Sequence, residues 1–132
     1  MWLSEVWRYP VKSMAGEKLE HTVIGPLGIL GDRELVVVDE SGRIQDARAR
    51  HLLLRHRATI AADGRVRIDR EGLEDREVAR WVRAAAGAGA RLQRWESPER
   101  SDVLPLLVIT DGAIEALGVD YRRLRPNLVI EA

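Results

Sequence analysis

Apolar residues in this chain come in short β-type runs, cut every few residues by glycine or proline, and that spacing favours short strands over long helices. Residues 2–9 are rich in β-formers and end at Pro10. Residues 17–24 alternate, with Leu19, His21 and Val23 on one face and Glu20, Thr22 and Ile24 on the other, before Gly25-Pro26 closes the run. Leu35-Val36-Val37-Val38 is unbroken and apolar, the pattern of a strand covered on both faces. Ser41-Gly42 then turns the chain into Arg43-Ile44-Gln45. Thr59-Ile60-Ala61-Ala62 and Arg65-Val66-Arg67-Ile68 flank Asp63-Gly64, which predicts a hairpin with a two-residue turn, both residues tolerating positive φ. Further strands are expected at residues 91–95, 104–109 and 127–130.

Two helices interrupt this pattern. Residues 74–86 repeat Val78, Trp81, Val82 and Ala85 at helical spacing, with acidic residues in the first turn and Gly87 at the stop. Residues 111–117 read as a short helix capped by Thr110 or Asp111 and ended by Gly118. The expected fold is therefore mainly β with a few helices, an α+β chain forming one barrel-like domain over residues 1–132. A strand at 127–130 with nothing after it to cover its edge must pair with something. The barrel is thus expected to be incomplete, or completed by dimerisation.

Composition narrows the chemistry. The chain has no cysteine, so it can form no disulfide, zinc–thiolate site, iron–sulfur cluster or cysteine nucleophile of its own. Charges balance at 21 basic and 21 acidic residues, which argues against bulk nucleic-acid binding. No stretch approaches a membrane span and no basic-then-apolar leader opens the sequence, so a cytoplasmic protein is expected, with no membrane partner. All but two of the 21 basic residues, Lys12 and Lys18, are arginine, whose planar donor fork grips phosphate and carboxylate.

His21 lies in an expected strand, and His51 and His56 are five apart, a spacing that does not place two imidazoles on one helix face. No HExxH, GxSxG, Walker or GxGxxG pattern occurs, and no carboxylate pair has a glycosidase setting. Three segments at expected strand ends stand out instead: Tyr9-Pro10-Val11-Lys12-Ser13, Gly28-Ile29-Leu30-Gly31-Asp32-Arg33 and Arg122-Arg123-Leu124-Arg125-Pro126-Asn127. Converging, their Lys, Ser, Arg and Asn side chains make a pocket for a phosphate or a polar heterocycle; apart, they are solvated loop charges with local capping duties.

In this order, together with Gly16, Val36-Val37-Val38-Asp39, Gly42, Arg48 and Leu128-Val129-Ile130, the three segments resemble the MOSC family, named for the C-terminal domain of molybdenum-cofactor sulfurases. The resemblance runs from near residue 3 to the end and is weakest between about 60 and 100. It implies a β-barrel and binding of molybdenum cofactor (molybdopterin), a phosphorylated pterin that carries the metal. By that likeness Lys12, Ser13 and Arg33 contact the pterin or its phosphate. Thr110 supplies a hydroxyl at a strand-to-helix turn, and Arg125 and Asn127 hold the pterin side. In relatives the implied activity is reduction of N-hydroxylated compounds or sulfur transfer. Catalytic members carry a cysteine beyond the Arg-Pro-Asn strand and further strands after it, features this sequence lacks. Two other readings stay open: a structural or dimerising barrel without a ligand, and a small Arg-rich barrel that binds RNA.

Overall fold

The structure, a computed structural model, describes residues 1–95, 97 and 104–132. In chain order its strands are β1 (Trp2–Arg8), β2 (Glu17–Leu19), β3 (Ile24–Gly25), β4 (Gly28–Ile29), β5 (Leu35–Val38) and β6 (Ile44–Gln45). They continue with β7 (Ala58–Ile60), β8 (Val66–Ile68), β9 (Glu71–Gly72), β10 (Arg91–Arg94), β11 (Val108–Thr110) and β12 (Leu128–Glu131). Two α-helices are described, α1 (Arg76–Ala86) and α2 (Asp111–Leu117), along with 3₁₀ turns at His51–Arg55 and Tyr121–Leu124.

The strands form four small sheets: β11-β12-β1-β2, β10-β5-β6, β7-β8-β9 and the hairpin β3-β4. The fold is mostly β, as expected, but the sheets do not close into one continuous barrel. Residues 9–16, which leave β1 through Pro10, stitch them together. Val11 bridges Leu35, with Lys12 N donating to Leu35 O at 2.8 Å. Ala15 bridges Arg57, donating to His56 O at 2.8 Å and accepting from Ala58 N at 2.9 Å. Glu17 adds a polar tie: its Oε2 accepts from Arg8 and, at 2.8 Å, from Ile60 N on β7.

All four residues of β5 are buried, as its unbroken apolar run requires. Val11, Met14, Leu53, Ala58 and Ile68 pack around it, and α1 closes the core with Val78, Val82, Ala85 and Ala86. Asp75 caps α1 by accepting from Glu77 N at 2.8 Å, so the helix starts two residues later than periodicity suggests.

Several expectations are corrected. The 17–24 run is a strand only to Leu19, because β2 follows β1 no further than Val6 and an edge strand without a partner does not persist. The two-residue hairpin turn is not at Asp63-Gly64. Ala61 N donates to Arg65 O at 2.9 Å around a three-residue loop in which only Gly64 has positive φ. A two-residue turn occurs instead at Pro26-Leu27, since Gly25 pairs with Gly28. The strand expected over 104–109 begins only at Val108, after Pro105, which has no N–H for a ladder. Residue 127 precedes β12 rather than belonging to it. Finally, β12 is not an unpaired edge: it lies between β1, antiparallel, and β11, parallel, so the reason for invoking a second copy there disappears.

Candidate functional site

The 9–16 segment that joins the sheets also builds one wall of a cavity of about 270 Å³. Lys12 and Ser13 line it from this wall, Arg33 from the turn before β5, Asp46 to Arg48 from the loop after β6, and Arg123 to Arg125 from the turn before β12. Five cationic side chains thus face one carboxylate, Asp46. The Arg48 guanidinium, 2.6 Å from Asp46 Oδ2, holds that carboxyl below the usual carboxylate range. An electropositive concavity of this kind favours a ligand with more than one negative charge.

The backbone at the site is unusual. Five described non-glycine residues have left-handed φ: Ser13, Arg33, Asp69, Arg70 and Arg125. Asp69 and Arg70 form the two-residue turn between β8 and β9, where Ile68 pairs with Glu71 and both turn residues need positive φ. Arg125 is the left-handed C-cap of the Tyr121–Leu124 turn, its N–H donating to Arg122 O at 3.1 Å, whereas Ser13 and Arg33 lie in neither setting; all three line the cavity. Each costs about 1 kcal/mol or more relative to ordinary backbone, and such residues persist where surrounding bonds over-determine them. Ser13 is held by its hydroxyl, which accepts from Ala47 N at 2.8 Å. Arg33 N donates to Tyr9 O at 2.6 Å, and its guanidinium bonds Asp32, Asn127 Oδ1 and Arg125 O.

Tyr9 organises the cations from below. The Arg33 and Arg125 guanidinium carbons each lie 4.8 Å from its ring centroid, within range of a cation–π contact. Its hydroxyl donates to Pro126 O at 2.9 Å, and its N–H donates to the buried Asp32 at 2.7 Å. Burial pushes the Tyr9 phenol up to about 12, so the ring stays neutral beneath two positive charges. Gly16 is required beside it, because a Cβ there would stand 2.2 Å from Arg8 O and 2.6 Å from the Tyr9 ring.

Four of the six residues singled out from the sequence, Lys12, Ser13, Arg33 and Arg125, therefore share one cavity. Asn127 lies beneath it, fully buried. Its Oδ1 accepts from Leu107 N as well as from Arg33, and its Nδ2 donates to Trp7 O. Thr110 stands apart from the lining, exposed, its Oγ1 accepting from Ala113 N as the cap of the two-turn helix α2. Asp46 is a lining residue that the sequence reading misses, and Tyr9, Arg48 and Arg123 enter that reading only as parts of motifs. A readable signal exists for the first: an Asp two residues before an Arg invites the Asx turn seen here, with Arg48 N donating to Asp46 Oδ1.

Over residues 1–103 the sequence matches the profile of the MOSC N-terminal beta barrel domain. The chain belongs to this family. A comparison with curated proteins finds no match. Lys12, Ser13, Arg33 and Arg48 fall inside the matched MOSC stretch, whereas Arg123 and Arg125 lie beyond it and complete the same cavity, with Asn127, also beyond it, bonded to Arg33 from beneath. The MOSC family is associated with molybdenum cofactor. The donor set here suits the phosphorylated part of such a group. Among the described residues no cluster of three His, Cys, Asp or Glu could hold a metal, and no helix is long and apolar enough to cross a membrane.

Proposed function

We propose that this MOSC domain binds molybdenum cofactor, or a related phosphorylated pterin, through its phosphate in the Lys12–Arg33–Arg125 cavity. The observation that carries this reading is the coincidence of three left-handed residues, Ser13, Arg33 and Arg125, with a cation-rich cavity holding an almost fully buried lysine. Lys12 supplies a point charge and the arginines supply paired N–H donors, which between them match a phosphate monoester. Asn127 and Asp32 fix Arg33 from behind instead of touching the ligand. When bound, the cofactor supplies a redox-active metal. This chain supplies the grip and no thiolate, so sulfur carriage through a persulfide cannot run on its own residues.

The test is molybdenum and phosphorus per chain, by elemental analysis, after anaerobic purification from a host that makes the cofactor. Near-stoichiometric amounts of both, lost in Lys12→Ala/Arg33→Ala/Arg125→Ala, are expected. Phosphorus without molybdenum narrows the ligand to a bare pterin or another phosphate ester. Absence of both elements sinks the proposal and leaves a structural domain.

A further inference from the structure

A second cavity, of about 280 Å³, lies against the first and shares Arg123 and Arg125 with it. Its remaining lining differs in kind: Trp7, Tyr9, Ala15, Gly16 and Leu54 make an aromatic and aliphatic wall, and Arg57 and Arg122 complete it. No lining residue is acidic. Three of its four guanidiniums already have local work. Arg57 donates to Gly16 O at 2.6 Å, Arg122 is forked onto Asp120 and Arg125 lies on Tyr9. Arg123 makes no side-chain hydrogen bond or ion pair among the described residues. The indole N–H of Trp7 is likewise committed, to Glu5 at 2.7 Å, so its ring offers the cavity only carbon surface. Leu54 is 46% exposed on the same wall, so its side chain is within reach of a ligand in the cavity.

An apolar wall beside a guanidinium that makes no hydrogen bond or ion pair among the described residues selects a particular chemistry. Bare phosphate gains nothing from Trp7 and Leu54, and a neutral ring gains nothing from Arg123. A planar ring bearing a carboxylate uses both, stacking on the wall while Arg123 grips the carboxylate in two places. We infer that this second cavity is a binding site for a small aromatic carboxylate, adjoining the phosphate cavity and sharing Arg123 and Arg125 with it, and that it does not require the first cavity to take a pterin.

The experiment titrates the full chain with 2-naphthoate, a planar bicyclic carboxylate, by isothermal calorimetry and ligand-detected NMR, with naphthalene-2-methanol as the uncharged match. Expected is saturable one-site binding that weakens roughly tenfold for the alcohol and for Arg123→Gln, the scale of a charge-assisted bidentate contact. Leu54→Glu, at an exposed position where folding tolerates it, abolishes binding by placing a carboxylate in the cavity. Lys12→Met leaves the affinity within about twofold, since Lys12 lines only the first cavity and does not border the second. Thermal melts of each variant confirm that loss of binding is not loss of fold. The inference is overturned if 2-naphthoate fails to saturate, if the alcohol binds as well as the acid, or if Lys12→Met removes binding as fully as Leu54→Glu. Displacement of the probe by a short oligoribonucleotide, steeply weakened by salt, also overturns it and points to RNA instead.

Discussion

The Arg33 guanidinium donates to Asn127 Oδ1 at 3.3 Å, joining the turn before β5 to the residue that precedes β12 across 94 residues of sequence. The same amide accepts from Leu107 N at 3.1 Å and donates to Trp7 O at 3.2 Å, so one side chain ties three segments. Asn127→Ala leaves the Leu107 N–H and the Trp7 carbonyl without these partners in a fully buried place. The expected loss is about 2–3 kcal/mol, read as a shift in the urea midpoint, with phosphate affinity falling because Arg33 loses a support. An unchanged midpoint would show that the amide is dispensable.

Both tyrosines of the chain titrate high. Burial pushes Tyr9 to about 12, and the hydrogen bond to Glu5, 2.6 Å from the hydroxyl, pushes Tyr121 to about 12. The folded state therefore holds these protons more tightly than the unfolded one, whose tyrosines titrate near 10. The resulting stabilisation is complete below pH 10 and is lost as pH rises toward 12. Tyrosinate absorbance is expected only above the unfolded range in native protein, and near pH 10 in denaturant. Coincident native and denatured titration curves would contradict the structure.

Gly16→Ala tests the close approach beside Tyr9. Its Cβ would meet the Arg8 carbonyl oxygen at 2.2 Å, and backbone cannot yield as a side-chain tip can. A destabilisation of about 2–3 kcal/mol is expected. Gly42→Ala is the control: φ there is +82° with nothing within 4 Å, so only the backbone penalty of about 1 kcal/mol applies. Chemical denaturation of the pair separates crowding from conformation.

Asp75→Ala removes the side-chain cap that accepts from Glu77 N and should cost about 1 kcal/mol. Asp75→Asn keeps the acceptor and should recover most of it. Equal losses in the two variants would mean that charge at the helix start, rather than the cap, does the stabilising.

The parts of the fold visible in sequence were those fixed by local chemistry. The apolar run of β5 needs cover on both faces wherever it lies, and α1 shows itself through spacing and its terminal glycine. The parts missed were set by distant partners. Glu17 to Ile24 alternates well enough for one strand, yet β2 pairs with β1 only over Val6 to Arg8 and ends at Leu19. Nothing near Leu128 announces that Trp2–Arg8 and Val108–Thr110 will flank it. At the site, the motif residues Lys12, Ser13, Arg33 and Arg125 were legible because their side-chain types suit an anion. Their left-handed backbone was not, since serine and arginine carry no local sign of positive φ. The family likeness assigns Asn127 to the pterin side; in the structure its amide bonds Leu107 N, Trp7 O and Arg33.

Pairing of Trp2 with Glu131 has a consequence for how the molecule is made. A ribosome releases β1 more than a hundred residues before β12 exists, so during synthesis the nascent strand has only β2 on one side and nothing on the other. The α1 and β5 layer can collapse early, because its contacts lie within residues already emerged. The anion cavity cannot: Arg123 and Arg125 arrive with the same late segment that completes the sheet. Long-range closure of this kind raises contact order and slows folding. Completion of the sheet and of the cation-lined cavity are thus one late event, and a nascent chain stalled before residue 120 has neither.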